Sequence, residues 1–226
     1  MGSDDLFHKR KARKVEDLAR RKAKRSAYSK VLIVCEGEKT EPYYFEDLKS
    51  YYELNSANIE ITGDCGSAPI NIFEHASQRY REEDRAGDPF DKVYCVFDKD
   101  QHDTYDAAME RIRTTESPGV FIAINSVPCF EYWLILHFHY TTRPYEILHG
   151  NSAGNQVLND LLQFMPDYQK GRQDVFSELI GNLEFAKDNS ERALTAAQQS
   201  HTDNPSTLVH ELVEFLQHIK EQDIGE

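Results

Sequence analysis

The chain has 226 residues, 39% hydrophobic and 11% aromatic, enough for one well-packed α/β domain with appendages and too apolar for a disordered chain. Its net charge of −13 hides an asymmetry: residues 1–30 hold 11 Lys and Arg against 4 Asp and Glu, a net +7, and the other 196 hold 15 against 35, a net −20. No apolar run reaches the roughly 18 residues of a membrane span, no signal-peptide pattern is present, and Cys35, Cys65, Cys95 and Cys129 show no C-x-x-C spacing. These features predict a cytoplasmic protein with reduced thiols and argue against zinc, disulfides and a membrane partner.

Residues 1–30 form a basic arm, helix-prone from Lys9 to Ser29 but with only Val15, Leu18 and Ala19 as an apolar stripe. Two readings stand for it: contact with a polyanion through Lys and Arg, or a solvated or partner-docking extension. Val31-Leu-Ile-Val-Cys35 then reads as a strand buried on both faces, as in a parallel sheet. It runs into Glu36-Gly37-Glu38-Lys39-Thr40-Glu41. A helix is expected over Pro42–Leu54, with Tyr43, Tyr44, Phe45, Leu48, Tyr51 and Tyr52 at helical spacing as core rather than base-stacking residues. Asn58–Thr62 alternates as a strand, and a helix follows over Pro69–Arg85. The Gly66-Ser67-Ala68 turn before it lacks a glycine-rich phosphate fingerprint.

Lys92–Phe97 is a third strand, ending at Asp98-Lys99-Asp100. A helix over Asp103–Thr115, a strand over Gly119–Ile124 and an apolar helix over Phe130–Phe138 complete an α/β domain over residues 31–140. Beyond Thr141-Thr-Arg-Pro144 the pattern changes to three helices, Asn151–Phe164, Asp174–Asn189 and Pro205–Gln222, read as a helical C-terminal subdomain over 141–226.

Ligand sites in open α/β sheets lie beyond the carboxyl ends of the strands. Glu36, Glu38 and Glu41 are delivered there by the first strand. Asp98 and Asp100 come from the third, on one side because residues i and i+2 of an extended chain point the same way. Such a nest suits hard divalent cations, Mg²⁺ or Mn²⁺, with Glu36, Asp98 and Asp100 as the primary ligands. Glu131 stands in an apolar segment, where a carboxylate is costly unless paired or metal-bound. Lys99 lies between two candidate ligands. Lys170 and Arg172, cations in a long acidic stretch, are candidates for a phosphate clamp or a helix cap. His102, His137 and His139 rank below them.

Glu36-Gly37 after one strand and Asp98-x-Asp100 after another resemble the TOPRIM fold of topoisomerases, primases and OLD-family nucleases, and the Thr40-Glu41 that follows is similar to the OLD type. Asn125-Ser-Val-Pro-Cys-Phe-Glu131-Tyr-Trp-Leu-Ile-Leu-His137-Phe and Asn204-Pro-Ser-Thr207 resemble segments of RloB-like (AbiLii-type) abortive-infection proteins. The resemblance covers about Arg10 to Leu216. It implies a TOPRIM-like Rossmannoid sheet flanked by helices and a Mg²⁺-dependent nuclease acting on RNA such as tRNA, or on DNA, in anti-phage defence. It also implies Glu41 as a second-metal ligand, a catalytic role for Glu131, and an ABC- or AAA-type ATPase partner. The chain itself carries no G-x-x-x-x-G-K-[ST] motif. A non-catalytic interaction subunit is the alternative, favoured by the acidic body. A haloacid-dehalogenase-like phosphohydrolase ranks third, because there the Asp-x-Asp pair ends the first strand.

Overall fold

The structure, a computed structural model, describes residues 28–66, 68–99, 102–148 and 150–222, together with Lys11, Val15, Glu16, Ala19 and Arg20 of the arm. Those five arm residues are helical and exposed; the rest of the helix expected over Lys9–Ser29 up to residue 27, and Asp100, lie outside the described residues. Five strands form one sheet in the order β2-β1-β3-β4-β5. β1 (Val31–Cys35) pairs in parallel with β2 (Ile59–Thr62) and β3 (Lys92–Asp98), and β3 with β4 (Phe121–Val127). The two-residue β5 (Ser206–Thr207) adds an antiparallel edge.

The five residues of β1 are all buried because the sheet is covered on both faces. Val31, Ile33 and Cys35 face one layer, built from α1 (Thr40–Tyr51), α4 (Glu131–Ile135), α5 (Ala153–Leu161), α6 (Val175–Leu179), α7 (Leu183–Gln199) and α8 (Val209–Gln222). Leu32 and Val34 face the other, which holds α2 (Pro69–Arg85) and contacts from α3 (Tyr105–Arg113). β1 therefore feeds a helix on one face and β3 a helix on the opposite face. Their carboxyl ends part there, which is the topological switch point of an open α/β sheet.

Several element bounds differ from the sequence expectation. α1 begins at Thr40, two residues before Pro42, because first-turn N–H groups have no helical partner and the missing one is tolerated. β4 runs on to Val127, since Asn125–Val127 gain partners on both sides: Asp98 pairs with Ser126, and Ser206–Thr207 pair across from it. The helix expected from Pro205 starts only at Val209, because Ser206–Thr207 serve as that edge strand. The apolar helix expected to Phe138 ends at Ile135, where Asn189 Nδ2 donates to the Leu136 carbonyl at 2.9 Å and relieves a helix-end acceptor. The helix expected over Asp174–Asn189 is broken by a 3₁₀ turn, Ile180–Asn182, that contains Gly181, and α7 then continues to Gln199. The aromatic stripe of α1 is largely core: Tyr44, Phe45 and Leu48 are buried, and Tyr44 accepts a hydrogen bond from Trp133 Nε1 at 2.8 Å. Among the described residues no helix is long and apolar enough to cross a membrane, and all four cysteines are free.

At the opposite, amino edge of the sheet, Lys30 is an internal charge rather than part of a basic surface. Its ammonium donates to Glu83 Oε2 (2.7 Å), Asp88 Oδ2 (3.0 Å) and the Asp88 carbonyl (2.6 Å), and lies 4.7 Å from the centre of the Phe90 ring. Its backbone N–H donates to Asp91. All three side chains of this cluster are buried. Removing the cation takes a buried ionic partner from both Glu83 and Asp88, so Lys30→Met should lower unfolding stability by roughly 3–5 kcal/mol. Denaturant unfolding of the two proteins checks this, and equal midpoints would refute it.

Candidate active site

β1 hands its chain to Glu36, whose side chain leans across to β3: Oε2 accepts from the Asp98 backbone N–H at 2.8 Å. Oε1 lies 3.3 Å from His102 Nε2. This crossing bond holds the ends of β1 and β3 together at the point where their connections diverge. Two glycines make room beside it. A Cβ on Gly37 would stand 2.6 Å from Glu41 Oε2, and one on Gly63 would stand 2.0 Å from the Gly37 carbonyl oxygen. A side chain at Gly37 would displace the Glu41 carboxyl, and one at Gly63 would strike backbone.

Glu41 is buried in the first turn of α1, and its Oε2 is a buried oxygen with no hydrogen-bond partner. Burial, then the neighbouring charges of Glu131 and Glu36, push its carboxyl up to about 7, against a hydrogen bond from its own backbone N–H and, more weakly, the pull of Lys170. Asp98 is pushed well above the usual carboxylate range by burial first and then by Glu41, Glu36 and Glu131. Glu131, the first residue of α4, is buried, and its Oε1 meets Lys170 Nζ at 3.1 Å and accepts from the Tyr168 hydroxyl at 3.3 Å. Burial alone would lower the Lys170 ammonium, but Glu131 and its neighbours outweigh that and hold it above its ordinary value.

Four of the sequence-derived carboxylates, Glu36, Glu41, Asp98 and Glu131, thus share one electrostatic neighbourhood with Lys170. Asp100 lies outside the described residues, and Glu38 is exposed. Lys99 directs its ammonium to Asp203, with the Tyr105 ring 5.4 Å away, and Arg172 pairs with Glu178. His137 is buried, its Nε2 without a partner, and burial pulls it down to about 4, which leaves it neutral beside Trp133.

The loop bearing Tyr168 and Gly171 was not singled out for positioning. Gly171 donates its N–H to Thr40 Oγ1 at 3.0 Å, and at its φ of +77° a Cβ would strike the Lys39 Cβ at 2.9 Å. The segment between α5 and α6 is thereby seated on the Glu36–Glu41 turn. A glycine next to the cations of Tyr168-Gln-Lys-Gly-Arg172 was the available signal, but 130 residues of sequence separate the partners.

Hard oxygen donors and the unpartnered Glu41 oxygen suit a divalent cation in their chemistry. Among the described residues, however, no group of three or more His, Cys, Asp or Glu side chains is gathered closely enough to hold a metal ion. The fit is therefore one of donor type and charge, with Glu36, Glu41 and Asp98 as the residues that would serve.

The model of a protein family described as RloB-like protein matches residues 31–216. No curated protein and no solved structure matches the chain.

With an ordinary carboxyl value of 4.5 and a folded value near 7, Glu41 gives the native state more bound protons than the unfolded state between those limits. Stability therefore falls as pH rises through that window. Glu41→Gln should remove the effect, stabilising the metal-free protein at pH 8 by up to roughly 3 kcal/mol with little change at pH 4. Melting curves of both proteins from pH 4 to 8 in a chelator check this; parallel pH profiles would contradict it.

Proposed function

The chain belongs to the RloB-like protein family, and from that premise we propose that it is a metal-dependent phosphodiesterase, a TOPRIM-like nuclease acting in anti-phage defence. The observation that supports this reading is the convergence of Glu36, Glu41, Asp98 and Glu131 at the parting of β1 and β3, where burial and mutual repulsion push the carboxyls of Glu41 and Asp98 above the usual range. Groups shifted in this way at a cleft are characteristic of chemical sites.

In this reading Glu36, Glu41 and Asp98 would hold Mg²⁺ or Mn²⁺, and Asp100 is the further ligand expected from the sequence. Bound divalent ions supply charge neutralisation and an acidified water to phosphodiester hydrolysis. Glu131 would receive the proton of the attacking water, its carboxylate held by the Tyr168 hydroxyl. Lys170, 58% exposed along its side chain, swings from Glu131 to the phosphate when the strand enters. The basic arm meets the nucleic acid, RNA such as tRNA or DNA, because the remainder of the chain is strongly acidic. Activation by an ABC- or AAA-type ATPase partner belongs to the same proposal.

A second reading, a non-catalytic subunit whose acidic edge docks a partner, is favoured by the internal compensation of Glu131 by Lys170 and by the net −20 outside the arm. Incubating pure protein with tRNA, single-stranded DNA and plasmid, with and without Mg²⁺ or Mn²⁺, separates the two. The nuclease reading predicts metal-dependent cleavage that falls at least about 100-fold in Asp98→Ala and Glu36→Ala. It also predicts a metal-induced rise in melting temperature that both variants lose. Cleavage and metal stabilisation unchanged in both variants would overturn it, and metal-independent inertness toward every substrate with intact partner binding would support the second reading.

A further inference from the structure

Behind the carboxylate edge, on the β4–β5 side, lies a cavity of about 300 Å³. Its lining holds none of the site's carboxylates but neighbours them along the chain. Lys99 directly follows Asp98, and Val127 and Pro128 lead within three residues to Glu131. Val127, Pro128, Ile147 and Ala153 make it mainly apolar, and the Lys99–Asp203 pair stands at its rim with 39% and 45% of the two side chains exposed. Its floor is fixed: Asn204 accepts from the Tyr145 N–H at 3.1 Å and donates to the Tyr145 carbonyl at 2.8 Å. Ile147, 65% exposed, closes one side and presents an apolar surface that the fold leaves uncovered.

We propose that this cavity is a nucleobase subsite, receiving the base of a nucleotide whose phosphate lies at Glu36, Asp98 and Glu131. The ligand class rests on the phosphodiesterase reading, and three features of the cavity fit it. The volume is at the low end for ligand pockets, roughly 300–1,000 Å³, room for one ring system and not for a helix. The walls are apolar, and enzymes that draw a base from its stack hold it between aromatic or apolar side chains and read its edge by hydrogen bonds. The rim offers one cationic donor and one anionic acceptor side by side, so it can meet both kinds of group on a base edge. Ala153 of the lining precedes Gly154, where a Cβ would stand 3.8 Å from the sulfur of Cys129, two residues before Glu131, so the cavity adjoins the carboxylate edge.

The test is equilibrium binding of 2-aminopurine riboside, which carries no phosphate to be repelled by the carboxylates, to the full chain in a chelator, read by its fluorescence, with ribose 5-phosphate as the baseless competitor. Saturable binding that ribose 5-phosphate fails to displace is expected. Ala153→Phe, which fills the cavity, should weaken it at least about tenfold, in line with the affinity carried by one stacked base. Ile147→Asp, on an exposed position that leaves folding untouched, should weaken it about fivefold. Absence of saturable binding at millimolar ligand, equal displacement by ribose 5-phosphate, or wild-type affinity in both variants would overturn the subsite. Base binding that both variants weaken, in a protein that cleaves nothing, sustains the subsite and overturns the nuclease. Cleavage whose base preference Ala153→Phe leaves unchanged sustains the nuclease and overturns the subsite.

Discussion

Crowding four carboxyl groups at the parting of β1 and β3 costs free energy twice, through lost hydration and through repulsion, and Glu41 reflects both in a carboxyl pushed up to about 7. The surrounding structure is arranged to hold that charge in place. Glu36 is tethered to the backbone of β3, Glu131 is gripped by Tyr168 and Lys170, and Glu41 is left with a buried oxygen that nothing satisfies. A fold selected only for stability gains nothing from such a cluster, since apolar residues of similar volume would be neutral or better. The strain is intelligible as a standing demand for positive charge, which Lys170 meets in part.

The way the site is assembled explains the roles of residues with no chemistry of their own. Gly37 and Gly63 let two turns and a carboxyl group approach more closely than any side chain would allow. Gly171 and Thr40 bring the α5–α6 connection onto the same turn, so the ammonium of Lys170 is supplied by a segment 130 residues away from it. One hydrophobic core runs from β1 through α1 and α4 into α5, α6, α7 and α8, with Trp133 donating to Tyr44 at its centre. Seating of the C-terminal helices and geometry of the acidic edge are thereby linked.

Much of this was legible in the residues. The apolar runs of β1 and β3, buried on both faces, announced a parallel sheet, and the acids that end them gather at its carboxyl edge, because strand direction alone carries both. Glu131 stood out for the mismatch between its charge and its neighbours. Tertiary contacts hid the rest. Ser206–Thr207 were read as the start of a helix because nothing local distinguishes them; antiparallel pairing with Ser126 and Val127, about 80 positions away, makes them a strand. The Lys170–Glu131 pair joins residues whose individual features pointed to several uses. Lys30 looked like the last charge of a basic arm, and only Glu83 and Asp88, more than 50 positions on, turn it into an internal pillar.

The claim on which the rest turns is that Glu36, Glu41 and Asp98 form a cation site at the switch point of the sheet. Anomalous diffraction from crystals of this protein soaked in Mn²⁺ tests it without reference to any substrate. The account predicts a peak at the carboxyl ends of β1 and β3, with Glu36 and Asp98 oxygens at metal-ligand distance and Lys170 drawn away from Glu131. Full-occupancy Mn²⁺ elsewhere on the protein, with this edge empty and the Lys170–Glu131 pair intact, would contradict it.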